Sequence, residues 1–212
     1  YHHTVQPLQT KETNSIVDPG FHYVSMDPGA DSLVGWWKFD DAGGTAASDS
    51  SGYGHTGTLT EFATADGLPK WTNGIRGGSL RFDGNNDYVF VNSTTPLTPV
   101  QYTVALWVLK EADPGANWLF FVNKGNGSQR SYSIFDYYGS DLRFGLSLNT
   151  PSGTYTGATS ASNLPTNSWH HLAATFDGRV ATVYLDGVAD ASTTFSPPFD
   201  AWVNSDPLYI GS

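Results

Sequence analysis

From Leu33 onward, apolar and polar residues alternate in short runs instead of recurring every three or four positions. Val, Thr, Tyr, Phe and Trp fill these runs, and Gly, Asn, Asp and Pro separate them. A period of two sends one row of side chains to a buried face and the next to the opposite face, which is the pattern of a half-buried strand. Residues 33–39, 78–82, 87–91, 102–110, 117–124, 131–138, 141–148, 168–176, 179–185 and 191–195 are therefore predicted to be strands. Asp177-Gly178 and Asp186-Gly187 supply the positive φ angles of two-residue hairpins, so residues 168–195 are expected to form a three-strand meander. Many short strands with turn chemistry between them predict an all-β fold of two packed antiparallel sheets.

Residues 1–32 break this pattern. They are polar, contain two Asp-Pro-Gly turns, and carry one apolar-aromatic patch from Phe21 to Met26. They are read as an N-terminal extended arm or linker, ahead of a β domain at 33–212. The single methionine is Met26, so Tyr1 is not a translation start, and the chain is expected to follow a removed leader or to belong to a longer protein.

Composition narrows the function classes. Ten Lys and Arg stand against twenty Asp and Glu, a formal charge of -10, and such a field repels nucleic-acid phosphates. The absence of cysteine excludes disulfides, zinc-thiolate sites and a cysteine nucleophile. No apolar run approaches the roughly 20 residues of a membrane span. Low charge and abundant Gly and Thr fit an extracellular protein.

With the strands placed, the chain resembles the laminin-G-like, concanavalin A-like jelly-roll family of secreted bacterial proteins. "LVGWWKFDDAGGTAASDSSGYGHTGTL" is similar to that family's opening strand and its Asp-Ser-Ser-Gly loop, Asp49 to Gly57. "GSLRFDGNNDYVFV", "YTVALWVLK", "SWHHLAATFDGRVATVYLDGVADAST" and "PLYIGS" resemble its later landmarks, in the expected order. The resemblance implies a two-sheet antiparallel jelly-roll sandwich. It also implies a closing strand after "YIGS" that this sequence lacks. That strand is expected from beyond Ser212, from the arm (Phe21 to Met26), or from another subunit by strand donation.

The residues argue against catalysis. Glycan-cleaving members of this sandwich class cluster acidic residues on one strand, whereas Glu12, Glu61 and Glu111 are scattered and Asp40-Asp41 diverge as strand neighbours. No Gly-x-Ser-x-Gly elbow occurs. His170-His171 read as packing, with one ring on the core side, and His2, His3, His22 and His55 have no ligand-like partners in sequence.

Two chemistries remain. Calcium takes oxygen ligands from loops that curl at Gly and Asn, which singles out Asp49, Asp83, Asn85 and Asp87. Sugar rings stack on exposed aromatics, with candidates at Tyr53, Trp71, Trp118, Tyr137, Tyr138, Tyr155 and Trp202, while Trp36, Trp107 and Trp169 are expected in the core. The hairpin at 123–141 crowds Lys124, Asn126, Arg130, Asp136 and Tyr137 and is the expected ligand rim. The sequence thus points to a non-catalytic extracellular module binding a glycan or a cell-surface or matrix component. The alternative is a structural subunit of an extracellular filament that self-assembles through the arm.

Overall fold

A computed structural model describes residues 2–3, 11–12, 33–62, 70–111, 118–126, 129–137, 143–149, 155–196 and 204–211. Two short strands, β1 (His2–His3) and β2 (Lys11–Glu12), pair near the N-terminus. The rest of the proposed arm, including Phe21 to Met26, lies outside the described residues.

The larger sheet is built from β3 (Ala46–Ala47), β4 (Gly57–Thr60), β7 (Tyr88–Val91), β9 (Trp118–Asn126), β10 (Gln129–Tyr137), β11 (Arg143–Asn149), β12 (Tyr155–Asn163) and β16 (Leu208–Ile210). Their spatial order is β12-β11-β10-β9-β16-β7-β4-β3. The smaller sheet has order β15-β14-β13-β8, from β8 (Tyr102–Leu109), β13 (Trp169–Phe176), β14 (Val180–Leu185) and β15 (Val188–Thr194). A separate hairpin joins β5 (Trp71–Asn73) to β6 (Gly78–Leu80). Among the described residues every strand ladder is antiparallel.

The two sheets stack because each has one apolar face. Leu172, Ala174, Phe176, Ala181 and Val183 of the smaller sheet join Val89, Val91, Ile134 and Leu208 of the larger in one buried cluster. Truncating such a side chain to alanine costs about 2–5 kcal/mol, so this seam dominates stability. The result is the pair of packed antiparallel sheets that the period-two stripes predict, in the jelly-roll sandwich that the resemblance implies.

Three local readings are corrected. Residues 33–39 do not form a ladder strand; Trp37 makes one isolated bridge, to Asp49, and its indole Nε1 donates to the His55 carbonyl at 2.8 Å. β12 escapes a hydrophobicity pattern because "YTGATSASN" is nearly all small and polar. The Asp186-Gly187 turn is a two-residue hairpin, with φ of 50° and 82° and Leu185 opposite Val188. The first turn is shifted by one residue: Asp177 N donates to the Val180 carbonyl at 3.2 Å, so Gly178-Arg179 is its two-residue loop, with φ 89° at Gly178, and Asp177 Oδ1 accepts the amides of Arg179 and Val180.

Candidate ligand-binding face

The β9–β10 hairpin presents different chemistry on its two faces, and two register breaks decide which residue goes where. On β10, Tyr132 points inward, where its ring lies 4.8 Å from that of Tyr102 on β8 and its hydroxyl donates to the Leu97 carbonyl at 3.0 Å. Asp136 also points inward and meets Lys110. Phe135 and Tyr137 therefore face outward, opposite Phe120 and Trp118 of β9. One break leaves Phe121 unpaired between Phe120 and Val122, and the other leaves Ser131 unpaired between Arg130 and Tyr132. An extra residue reverses the facing of every residue beyond it on that strand. Phe120 and Arg130 thereby join the outer face, although Val122 and Tyr132 two positions away are buried.

The outer face carries a packed aromatic platform. The Trp118 and Tyr137 ring centroids lie 4.3 Å apart, with Phe135 4.9 Å from Trp118. Phe120 stacks on Trp118 at 6.1 Å and 9°, and the Arg130 guanidinium lies 4.5 Å from the Phe120 centroid. Phe135 is buried beneath this group, whereas Trp118 and Tyr137 remain 49% and 40% exposed. Rings held by other rings present a rigid apolar surface, and Arg130 adds a cation to its edge. Beyond the polar pair Asn123 and Ser133, Tyr209 continues the same outer face, in edge-on contact with Tyr88 and Phe90.

The five rim residues named from sequence do not converge. Arg130 and Tyr137 stand on the platform, and the side chain of Asn126 lies outside the described residues. Lys124 and Asp136 are both fully buried and cannot touch an external ligand. Lys124 Nζ donates to Ser93 Oγ (3.1 Å), Asn204 O (3.3 Å), Asn204 Oδ1 (3.2 Å) and the Asp206 carbonyl, tying β9 to the segment before β16. Burial lowers its pKa to about 8, against the pull of the Asp206 carboxylate. Sequence reads an alternating Lys as a surface residue; only the acceptors from residues 93, 204 and 206 make its burial tolerable.

The tryptophan assignments change as well. Trp36 is 38% exposed, with Lys38 Nζ 5.3 Å from its ring centroid, and so is not core. Trp107 lies opposite His171, 5.2 Å between ring centroids, on the outer face of the smaller sheet, because its neighbours Leu106 and Leu172 take the inner one. Trp169 shares that outer parity.

The acidic loops are fastened internally. Asp49 Oδ1 accepts the amides of Trp36 and Ser51, each at 2.9 Å, and Oδ2 accepts the Ser51 hydroxyl at 2.7 Å and the His55 amide at 2.9 Å. Partial burial raises the Asp49 pKa, but these hydrogen bonds outweigh it and hold the carboxyl below 3.8. Four accepted bonds use the lone pairs that a cation would need, so Asp49 does not fit a calcium ligand. In the second loop, Asp83 Oδ1 accepts the Asn85 amide and Asp87 Oδ2 accepts the Asp83 amide, both at 2.9 Å. Among the described residues, no three His, Asp or Glu side chains converge as a metal site.

One constellation was invisible in sequence. Ser168 Oγ lies 2.8 Å from His170 Nε2, and His170 Nδ1 lies 2.8 Å from Asp186 Oδ2. Asp186 Oδ1 also accepts the His171 amide at 2.9 Å, so the group clamps the Asp186-Gly187 turn to the start of β13. The same line of atoms is the spacing of a nucleophile, a base and an orienting carboxylate. His55 is buried as a clasp, with Nδ1 2.7 Å from the Val34 carbonyl and Nε2 2.7 Å from Thr94 Oγ1.

Comparison with known proteins gives the same architecture. A family model described as "Concanavalin A-like lectin/glucanases superfamily" matches residues 83–212, more than half of the chain. No curated protein matches by sequence. Among solved structures, domain 4 of AbnA, an extracellular arabinanase of Geobacillus stearothermophilus in complex with arabinotriose, is similar at 22% identity and TM-score 0.57, over 83% of this chain and 90% of that one. The receptor-binding domain of botulinum neurotoxin D is similar at 14% identity and TM-score 0.55, over 82% of this chain and 45% of the toxin domain. The serotype C1 binding domain is similar at 11% identity and TM-score 0.55, over 82% and 43%. The chain thus spans less than half of either toxin domain. At these identities the likeness concerns the fold.

Proposed function

Because the chain belongs to the concanavalin A-like lectin/glucanase superfamily, we propose that it is a non-catalytic, extracellular module that binds a neutral glycan through the outer face of the β9–β10 hairpin. The observation that carries this reading is the pair Trp118 and Tyr137, exposed yet braced from below by Phe135 and from the side by Phe120. A pyranose or furanose presents a flat C–H face to such rings, and bracing removes the ordering cost of free side chains. Arg130 supplies donors for hydroxyls at the platform edge. The formal charge of -10 disfavours polyanionic glycans and leaves neutral ones. The arabinotriose complex of AbnA domain 4 supports the ligand class by analogy of fold.

The test is affinity electrophoresis and calorimetry against neutral plant and bacterial polysaccharides. Trp118→Ala and Tyr137→Ala are each expected to weaken binding on the order of tenfold or more with an unchanged melting temperature. Wild-type affinity in both variants overturns the assignment. The non-catalytic part has its own test at the Ser168–His170–Asp186 line. A fluorophosphonate probe is expected to leave Ser168 unlabelled, and stoichiometric labelling that Ser168→Ala abolishes would overturn it.

A further inference from the structure

A cleft of about 300 Å³ lies between residues 39–42 and the β5–β6 hairpin, and none of its lining residues belongs to the platform. Its walls include Phe39, Asp40, Ala42, Trp71 and Asn73. Five described residues other than glycine have positive φ, and two of them, Phe39 and Ala42 (each 58°), line this one cleft. A bulky side chain in the left-handed region costs on the order of 1–3 kcal/mol, and such conformations persist where the surroundings impose them. Here the imposing contact is the β5–β6 turn. A Cβ on Gly77 would collide with Asp40 Oδ1, and one on Gly78 with the Phe39 carbonyl, so only glycines let the hairpin seat against residues 39–40.

The seat also fixes the polar groups. Gly78 N donates to Asp40 Oδ1 at 2.7 Å, and Asp40 Oδ2 takes no hydrogen bond from a described residue. The Trp71 indole Nε1 donates to the Gly44 carbonyl at 3.3 Å, which holds the half-buried ring in place along the wall. Asn73 is exposed on the same strand, two residues on, so its amide lies on the same face as Trp71. The cleft therefore joins a fixed aromatic ring to a carboxylate acceptor and an amide able both to donate and to accept. Its volume is at the lower end of ligand sites, about 300–1,000 Å³, which suits one sugar ring and not a chain.

We infer that this cleft is a second saccharide site, which takes a single neutral sugar unit with its C–H face on Trp71 and its hydroxyls on Asp40 and Asn73. It rests on the glycan reading above for the class of ligand, but on none of the platform residues. Two separated contacts on one linked glycan raise avidity without enlarging either site, provided the glycan spans them.

The full chain is titrated with methyl glycosides of neutral pentoses and hexoses, read on the indole N–H of Trp71, assigned with Trp71→Phe. At least one glycoside is expected to give a saturable shift at Trp71. Asn73→Ala is expected to weaken that binding at least fivefold, and Asn73→Trp, which fills the cleft, to abolish it. Both substitutions sit at an exposed position, so folding is checked by an unchanged melting temperature. The inference falls if no glycoside saturates the Trp71 signal, or if folded Asn73→Ala and Asn73→Trp bind like the wild type. Wild-type oligosaccharide affinity in both Trp118→Ala and Tyr137→Ala overturns the platform alone and leaves the cleft standing.

Discussion

Lys110 Nζ lies 2.8 Å from Asp136 Oδ2 in the interior of the sandwich, with 2% and 0% of the two side chains exposed. The pair joins the end of β8 in the smaller sheet to β10 in the larger. It lies directly behind the aromatic platform, one residue from Tyr137. A buried ion pair is weak evidence for stability in itself, because desolvation offsets the attraction. Breaking it is another matter.

Lys110→Met alone, or Asp136→Leu alone, is expected to destabilise the protein by about 3–5 kcal/mol, since each removes one half of a buried ion pair. The double variant is expected to lose clearly less than the sum. Urea unfolding of the four proteins gives the cycle, and additive losses would show that the two residues act independently.

Asp49→Asn replaces an acceptor of four hydrogen bonds with a group that turns an NH2 toward amide donors. The expected loss is about 1–3 kcal/mol at neutral pH. Since the folded carboxyl titrates below 3.8, its contribution is complete above that value and fades as acid protonates it in the folded chain. The gap between variant and wild type should therefore close as pH falls below that value. It should be the same with calcium or with a chelator; stabilisation by calcium that vanishes in Asp49→Asn would restore Asp49 as a metal ligand.

Lys124 titrates at about 8 in the folded chain against 10.5 for a free lysine. Between those values the unfolded chain holds a proton that the folded chain has released. Stability linked to this group therefore rises with pH across that window and is flat below it. Lys124→Met lacks the titration and also leaves the carbonyls of Asn204 and Asp206 without their donor. It is expected to be less stable at pH 7.5 by about 1–3 kcal/mol, and to fall further behind the wild type at pH 9.5. Urea midpoints at the two values decide this; a constant difference would mean that Lys124 titrates like an exposed lysine.

Much of the architecture is legible in the chain, because alternation reports burial wherever one face of a strand is wet. Tyr102–Leu109, Trp169–Phe176 and Val180–Leu185 lie where the stripes put them, and Asp186-Gly187 makes its tight hairpin. The reading fails where burial has another cause. Tyr155–Asn163 pairs through backbone with hardly an apolar side chain, and residues 33–39 carry apolar side chains without a ladder partner. For the site, Trp118 and Tyr137 were legible as aromatics, while their contact depends on cross-strand register.

The sequence by itself determined the class of fold, two antiparallel sheets with one apolar interior, since period and turn chemistry are local properties. It also determined the acidic surface and the absence of thiol chemistry. Only the tertiary structure decided the facing of the β9–β10 hairpin. One unpaired residue on each strand reverses the alternation there, turning Phe120 and Arg130 outward, while Lys124 and Asp136 stay in step with Val122 and Tyr132 and are buried with them. A single inserted position leaves no trace in composition or periodicity, yet it reassigns every side chain beyond it.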